Sequence, residues 1–190
     1  MKLLETKILE AGHVLDSDIL KVDNFLNHQV DPNLLNKMGE DMAKHYANLG
    51  VTKILTLEVS GIPLAFTTAL YLNVPMVYAK KTKSVTLTDE VYTSVVKSFT
   101  KKITYDIKVD KKFLVPGDKV LIVDDFLATG AALQGLSEIC KQAEAEIVGY
   151  GIAIEKTFQN GGKYFRDLGY DVYSQAMISS FEGGKVHFQA

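Results

Sequence analysis

The chain contains a single cysteine, Cys140, so it cannot build an internal disulfide framework. Cys140 sits in LSEICKQA, a helical pattern, where its expected role is packing rather than reactivity. No apolar run approaches the roughly 20 residues of a membrane-spanning helix. The opening MKLLETKILEAGHVL carries charges throughout, unlike a signal peptide, and a cytoplasmic location is expected. Neither sign of charge dominates: 21 Lys and Arg against 23 Asp and Glu leave a net charge of −2, which argues against a general affinity for nucleic acid. The four histidines, at 13, 28, 45 and 187, lack metal-ligand spacing to one another or to the cysteine, so no zinc site is expected. The string G-x-x-x-x-G-K-[ST] is absent, which disfavours triphosphate hydrolysis on a P-loop. Gly149-Tyr-Gly151 begins like G-x-G-x-x-G, but Ile154 stands where the third glycine belongs and the glycines lead into a strand; a packing role is expected. Internal repeats, low-complexity tracts and Pro- or Ser-rich linkers are also missing, and 190 residues suit one domain, 1–190.

The chain does contain alternating helical and strand-like segments. Leu3, Leu4, Ile8 and Leu9 have helical spacing, and Asp31-Pro32 opens a second helix running to about Leu49, ended by Gly50. Short, often β-branched runs follow near 53–59, 75–80, 119–125, 147–156 and 171–178, separated by helical segments. Such alternation predicts an α/β fold with a parallel sheet covered on both faces. The segment from Lys81 to Lys108 breaks the rhythm by alternating polar with apolar residues, the mark of a β-hairpin or arm with one wet face. The glycine pairs at 161–162 and 183–184 read as turns.

The most informative stretch is VLIVDDFLATGAA, from Val120 to Ala132. A buried strand delivers two adjacent carboxylates, Asp124 and Asp125, to the carboxyl edge of the sheet, where open parallel sheets bind ligands. Ala128, Thr129, Gly130, Ala131 and Ala132 then offer helix-terminal N–H groups almost unobstructed by side chains, as a phosphate requires. A ribose diol would give the carboxylates two O–H donors, so a sugar phosphate satisfies both halves. The competing role for either aspartate is capping the following helix.

VLIVDDFLATG resembles the phosphoribosyl diphosphate (PRPP) signature of the type I phosphoribosyltransferase family. The resemblance extends through LKVDNFLNHQVDP (20–32), TLEVSGI (56–62), AKKTKSVTLTDEVY (79–92) and GYGIAIEKTFQ (149–159) to members that act on xanthine. It implies a central, mostly parallel sheet flanked by helices, a flexible β-arm or lid at about 81–108, and an N-terminal base-recognition segment at 1–35. It also implies transfer of the 5-phosphoribosyl group from PRPP to xanthine, giving xanthosine 5′-monophosphate and pyrophosphate in purine salvage, by a homodimer using Mg²⁺ carried mainly on PRPP.

In that family Ala128 to Ala132 would hold the 5′-phosphate, Asp124 and Asp125 would face the ribose, and the loop of Val59, Ser60 and Gly61 would receive the pyrophosphate through backbone N–H groups. Related adenine enzymes carry an arginine in this loop, so charge here must come from elsewhere. Lys80 and Lys81, at the end of the next strand, are the candidates; the alternative is a solvated lysine pair. The resemblance places xanthine against Leu20, Asn27 and Lys156, with ordinary core and turn roles as the alternative for the first two. An ammonium at 156 donates to a purine carbonyl and cannot accept from an amino group, which favours an oxopurine over adenine. Phe158 is a candidate for stacking or for the core, and His28 lies near the expected base site. Positive charge developing on the sugar asks for electrostatic support and exclusion of water, for which the arm would bring Ser84 or its neighbours over the substrate. Two further readings stay open: a PRPP-sensing regulator without chemistry, and the same reaction on guanine or hypoxanthine.

Overall fold

The computed structural model describes residues 1–15, 19–82, 90–98 and 103–189. Helix α1 (Lys2–Ala11) leads into a two-stranded antiparallel ribbon, β1 (His13–Leu15) and β2 (Ile19–Lys21), and then a π-helical turn over Asp23–Asn27. Helix α2 (Pro32–Tyr46) starts as expected, with the Asp31 carboxylate accepting from the N–H groups of Asn33 and Leu34, both at 3.1 Å, and Pro32 in the first turn. It stops at Tyr46 rather than near Leu49, and the turn that follows closes on Gly50 at φ +69°.

The remaining elements are β3 (Lys53–Leu57), α3 (Ile62–Leu72), β4 (Met76–Thr82), β5 (Val91–Ser98), β6 (Ile103–Asp110), β7 (Lys119–Leu127), α4 (Ala131–Gln142), β8 (Glu146–Lys156), α5 (Gly161–Asp167), β9 (Val172–Ser180) and β10 (His187–Phe188). They form an eight-stranded sheet in the order β10-β9-β8-β7-β3-β4-β6-β5. From β9 to β4 all pairings are parallel; β10 and the β5–β6 hairpin join antiparallel at the two edges. β3 and β7 lie side by side, yet the chain leaves β3 through α3 toward β4 and leaves β7 through α4 toward β8. Their carboxyl ends therefore open a crevice between diverging connections, the switch point at which such sheets bind ligands.

Strand alternation sorts the core into two layers. Leu121 and Val123 pack with Leu4, Met38 and Leu64 from α1, α2 and α3, whereas Val120 and Ile122 pack with Leu133, Leu136 and Ile139 of α4. Within the segment expected as an arm at 81–108, the described residues form the antiparallel pair β5 and β6, with Val96, Ile107 and Val109 buried in the α4 layer; 83–89 and 99–102 lie outside the described residues. The Gln142 side chain donates to the Thr93 carbonyl at 2.7 Å and accepts from the Thr93 N–H at 3.2 Å. At roughly 1.5–3 kcal/mol for each fully buried aliphatic side chain, these strands form a wall packed on α4. Ser84 lies outside the described residues.

Packing is the role of Gly149 and Gly151. A Cβ on Gly149 would sit 2.6 Å from the Tyr46 ring, and one on Gly151 would sit 2.5 Å from Met42 Sδ, so both glycines let α2 press onto β8. The Tyr46 hydroxyl donates to the Tyr150 carbonyl at 2.9 Å and the ring is fully buried, leaving it nowhere to go. Gly149→Ala is expected to lower unfolding free energy by about 1–3 kcal/mol in urea titration. Gly151→Ala should cost less, because the Met42 thioether can rotate aside.

Candidate functional site

β7 extends past the acidic pair to Leu127, so Asp124 and Asp125 belong to the strand rather than to its end. Both are buried, each 6% exposed. Neither caps α4: its N-cap is Gly130 at φ +86°, with no side-chain cap bond among the described residues. Asp124 Oδ1 accepts the Asp125 N–H at 3.0 Å, and Asp125 Oδ2 accepts from Asn27 Nδ2 at 2.8 Å. Burial, and after it the neighbouring Asp125 charge, hold the Asp124 carboxyl well above the usual carboxylate range; the Lys81 ammonium pulls weakly the other way. Hydroxyl donors from a ribose would add to that pull by favouring the charged form.

Ala128 to Ala132 line a cavity of about 320 Å³, together with Ser60 from the facing loop, Asp125, and Val96, Lys97 and Tyr105 from the arm. The loop is held from behind. The Gly161 N–H donates to the Ala128 carbonyl at 3.0 Å, and a Cβ on Gly161 would stand 2.3 Å from that oxygen and 2.8 Å from the Gly130 nitrogen. Residues 161–162 are thus not a simple turn: they are buried at the start of α5, where only glycine allows the 128–132 loop to close.

Across the crevice, Val59 is 69% exposed while Gly61 is buried, and the Glu58–Val59 peptide is cis. A Cβ on Gly61 would meet Thr56 Oγ1 at 2.2 Å and Asp124 Oδ1 at 2.9 Å, which brings the diphosphate-type loop and the acidic strand into contact. The two lysines part company, because adjacent strand residues face opposite sides. The Lys81 ammonium is near enough to the acidic strand to lower the Asp124 carboxyl, and the Lys81 backbone N–H donates to the Glu58 carboxylate. Lys80 instead lines a separate cavity with Tyr78, Lys108 and Asp110, so it is not brought to the acidic pair.

Asn27 ends the π-helical turn, and its bond to Asp125 joins the N-terminal segment to the acidic pair. Leu20 is buried on β2, opposite Val14, leaving its backbone as the available contact. Lys156 ends β8, with its ammonium 5.6 Å from the Phe126 ring centre and 5.9 Å from that of Phe181. Phe158 packs edge-on against Phe181 at 5.6 Å and is 39% exposed. His28 is exposed. Cys140 is fully buried, and burial pushes its thiol up to about 12.

Sequence reasoning missed the Asn27–Asp125 bond and an ion pair beneath Lys156. Glu155, 1% exposed, takes both guanidinium nitrogens of Arg166 at 2.7 Å and a hydroxyl bond from Ser174. A Cβ on Gly162 would fall 1.9 Å from Glu155 Oε1. The available signal was a glutamate inside the apolar run IAIEK, followed by two glycines.

Comparisons with known proteins agree with one another. The phosphoribosyl transferase domain profile matches residues 23–185. A xanthine phosphoribosyltransferase of Ligilactobacillus salivarius is 53% identical over 189 residues, covering 100% of this chain and 98% of that protein. One from Oceanobacillus iheyensis is 54% identical over 189 residues, covering 100% of this chain and 97% of that protein. Among solved structures, adenine phosphoribosyltransferase from Trypanosoma brucei in complex with AMP, pyrophosphate and ribose-5-phosphate aligns with TM-score 0.75 and 18% identity, over 92% of this chain and 78% of that one. The enzyme from Rhodothermus marinus aligns with TM-score 0.72 and 22% identity, over 93% and 99%. Structural likeness at these identities speaks to the fold.

The buried acid makes a prediction of definite sign. Because the folded chain holds the Asp124 proton more tightly than the unfolded chain, its contribution to stability is complete below the ordinary carboxylate value of about 3.9 and is lost as pH rises through the raised folded value. Asp124→Asn should therefore be more stable than the parent at pH 7, by on the order of 1 kcal/mol, with the gain vanishing near pH 3. Urea midpoints at the two pH values test this; an equal shift at both would refute it.

Proposed function

The chain belongs to the phosphoribosyltransferase family, and from that premise we propose that it transfers the 5-phosphoribosyl group of PRPP to xanthine, forming xanthosine 5′-monophosphate and pyrophosphate in purine salvage. One observation carries the reading to this site. A bare phosphate loop, a buried carboxylate pair and, tied to that pair through Asn27, the expected base segment meet at one sheet edge.

In this mechanism the backbone N–H groups of 128–132 and the Thr129 hydroxyl hold the 5′-phosphate, with the α4 dipole behind them. Asp124 and Asp125 accept from the ribose hydroxyls. The bond from the anomeric carbon to the diphosphate breaks with its electron pair leaving on the diphosphate oxygen, so positive charge grows on the sugar beside two carboxylates, and the base nitrogen bonds to that carbon as its N–H proton is released to water. Val59, Ser60 and Gly61 take the departing diphosphate on backbone N–H groups, with Lys81 as the charge that this loop lacks. Lys156 donates to a purine carbonyl, Asn27 presents its amide, and Leu20 offers backbone groups, so base placement is a rate term as well as an affinity term. The arm's packed strands, with Val96, Lys97 and Tyr105 lining the cavity, wall off one side of the activated sugar from water.

Mg²⁺ fits this donor set. Carried mainly on the oxygens of PRPP, it would neutralise charge on the diphosphate, with Asp125 the nearest buried carboxylate that could add an oxygen donor.

The enzyme works in the cytoplasm as a homodimer. No helix among the described residues is long and apolar enough to cross a membrane. Phe66 and Leu70, 60% and 64% exposed, stand one helical turn apart on α3 and line a cavity with Pro75 and Met76, an apolar face suited to a second copy. Leu70→Glu with Phe66→Glu is expected to convert the dimer to monomer in sedimentation analysis.

Pyrophosphate release measured with PRPP, Mg²⁺ and each of xanthine, guanine, hypoxanthine and adenine tests the assignment. Xanthine should be preferred. Asp125→Asn should reduce release with every base, and Lys156→Gln should lower kcat/KM for xanthine by about 10²-fold, the loss of one charged donor. No release with any base while PRPP still binds would make the protein a sensor.

A further inference from the structure

One aromatic side chain at the site has no place in that mechanism. Tyr105 comes from the arm, yet it lines the same cavity as Ser60 and Ala128 to Ala132. In the antiparallel pairing of β4 with β6, Lys81 stands opposite Ile107. Tyr105 is two residues along on the same face, a diagonal neighbour within reach of a long side chain. The Lys81 ammonium lies 5.0 Å from the centre of the Tyr105 ring. Both groups look toward the acidic strand: Lys81 lowers the Asp124 carboxyl, and the Tyr105 hydroxyl is pushed up by burial first and by the Asp124 charge second.

We propose that Tyr105 is a positioning residue for phosphoribosyl transfer, its ring face holding the Lys81 ammonium over the phosphate cavity in the direction of the diphosphate. The proposal rests on the reading of Lys81 as the diphosphate's cation. Its physical content is preorganisation. The Lys81 backbone is pinned by its N–H bond to Glu58, but the four-carbon stem keeps most of its rotamer freedom unless something holds the far end. An aromatic face attracts an ammonium without neutralising it, whereas a carboxylate partner would compete with the ligand. Ordering the lysine before PRPP arrives removes that cost from binding. The arm would then act in recognition through its packed stem, since Ile107, two residues from Tyr105, is buried against α4 beside Gly135.

The test compares steady-state constants of the parent with those of Tyr105→Phe, Tyr105→Leu, Lys81→Met and the Tyr105→Leu, Lys81→Met double variant. Tyr105→Leu should raise KM for PRPP about three- to fivefold and leave KM for xanthine unchanged, while Tyr105→Phe, which keeps the ring, stays at the parental value. On the Lys81→Met background, Tyr105→Leu should add nothing further. An equal effect of Tyr105→Leu with and without the lysine, or a Tyr105→Phe as impaired as Tyr105→Leu, would overturn the positioning role. Lys81→Met with a parental KM for PRPP would instead overturn the reading of Lys81 itself. Should leucine cost the fold, Tyr105→Met fills the same space with an adaptable side chain and reads the same constants.

Discussion

Two carboxylates buried side by side at the switch point of the sheet are the constraint around which the site is arranged. Adjacent like charges in low dielectric repel strongly, and capping α4 would have relieved one of them, but that cap position belongs to Gly130. What relieves them comes partly from distant parts of the chain and partly from the strand itself. The Asn27 amide comes from the N-terminal turn, the Lys81 ammonium from β4, and the Asp125 N–H bonds back to Asp124. A site that needs donors from three elements to tolerate its own charge is also one that a ligand rich in hydroxyl groups can enter favourably.

The crevice is narrow because two glycines let backbone approach backbone. Gly61 brings the β3 loop against Thr56 and Asp124, and Gly161 brings α5 against the carbonyl of Ala128. Between them the phosphate loop has an acidic strand on one side, a helix start behind it and the arm across its opening. The loop's N–H groups are therefore fixed before any anion is present, and electrostatic stabilisation from fixed dipoles costs no reorganisation at the moment of bond breaking. In this molecule the same closeness makes the acidic pair expensive in stability terms, the usual relation between preorganised sites and their scaffolds.

Much of this was legible in the sequence, and the pattern of what was not has a physical cause. Runs such as KVLIVDD and IVGYGIAIEK were legible as strands because their consecutive apolar, often β-branched residues carry a local signal, and β5 and β6 were visible from two-residue alternation. The bare loop of 128–132 was legible because its feature, a lack of side chains, is written in consecutive residues. The Asn27–Asp125 bond, across 98 positions, was not, since it depends on how α2 and the N-terminal ribbon settle on the sheet. Lys80 and Lys81 looked equivalent as letters; strand alternation separated them, and only the register of β4 decides which one turns toward Asp124. Gly161-Gly162 read as a turn because a close approach leaves no local trace beyond the glycines themselves.

The pair beneath Lys156 bears on where that ammonium stands. Glu155 and Arg166 are joined by two 2.7 Å bonds, with Ser174 and the Val172 carbonyl completing the network. A buried ion pair of this kind is weak evidence for stability, because the desolvation of two ions offsets much of their attraction. Its geometric consequence is firmer. With Glu155 locked on one side of β8, strand alternation turns Lys156 to the other side, where it lies over Phe126 and Phe181. Base selection by a single ammonium is only as sharp as the position of that ammonium. That position depends on both faces of β8: the Glu155–Arg166 pair holds the strand on one, and the Phe126 and Phe181 rings flank the ammonium on the other.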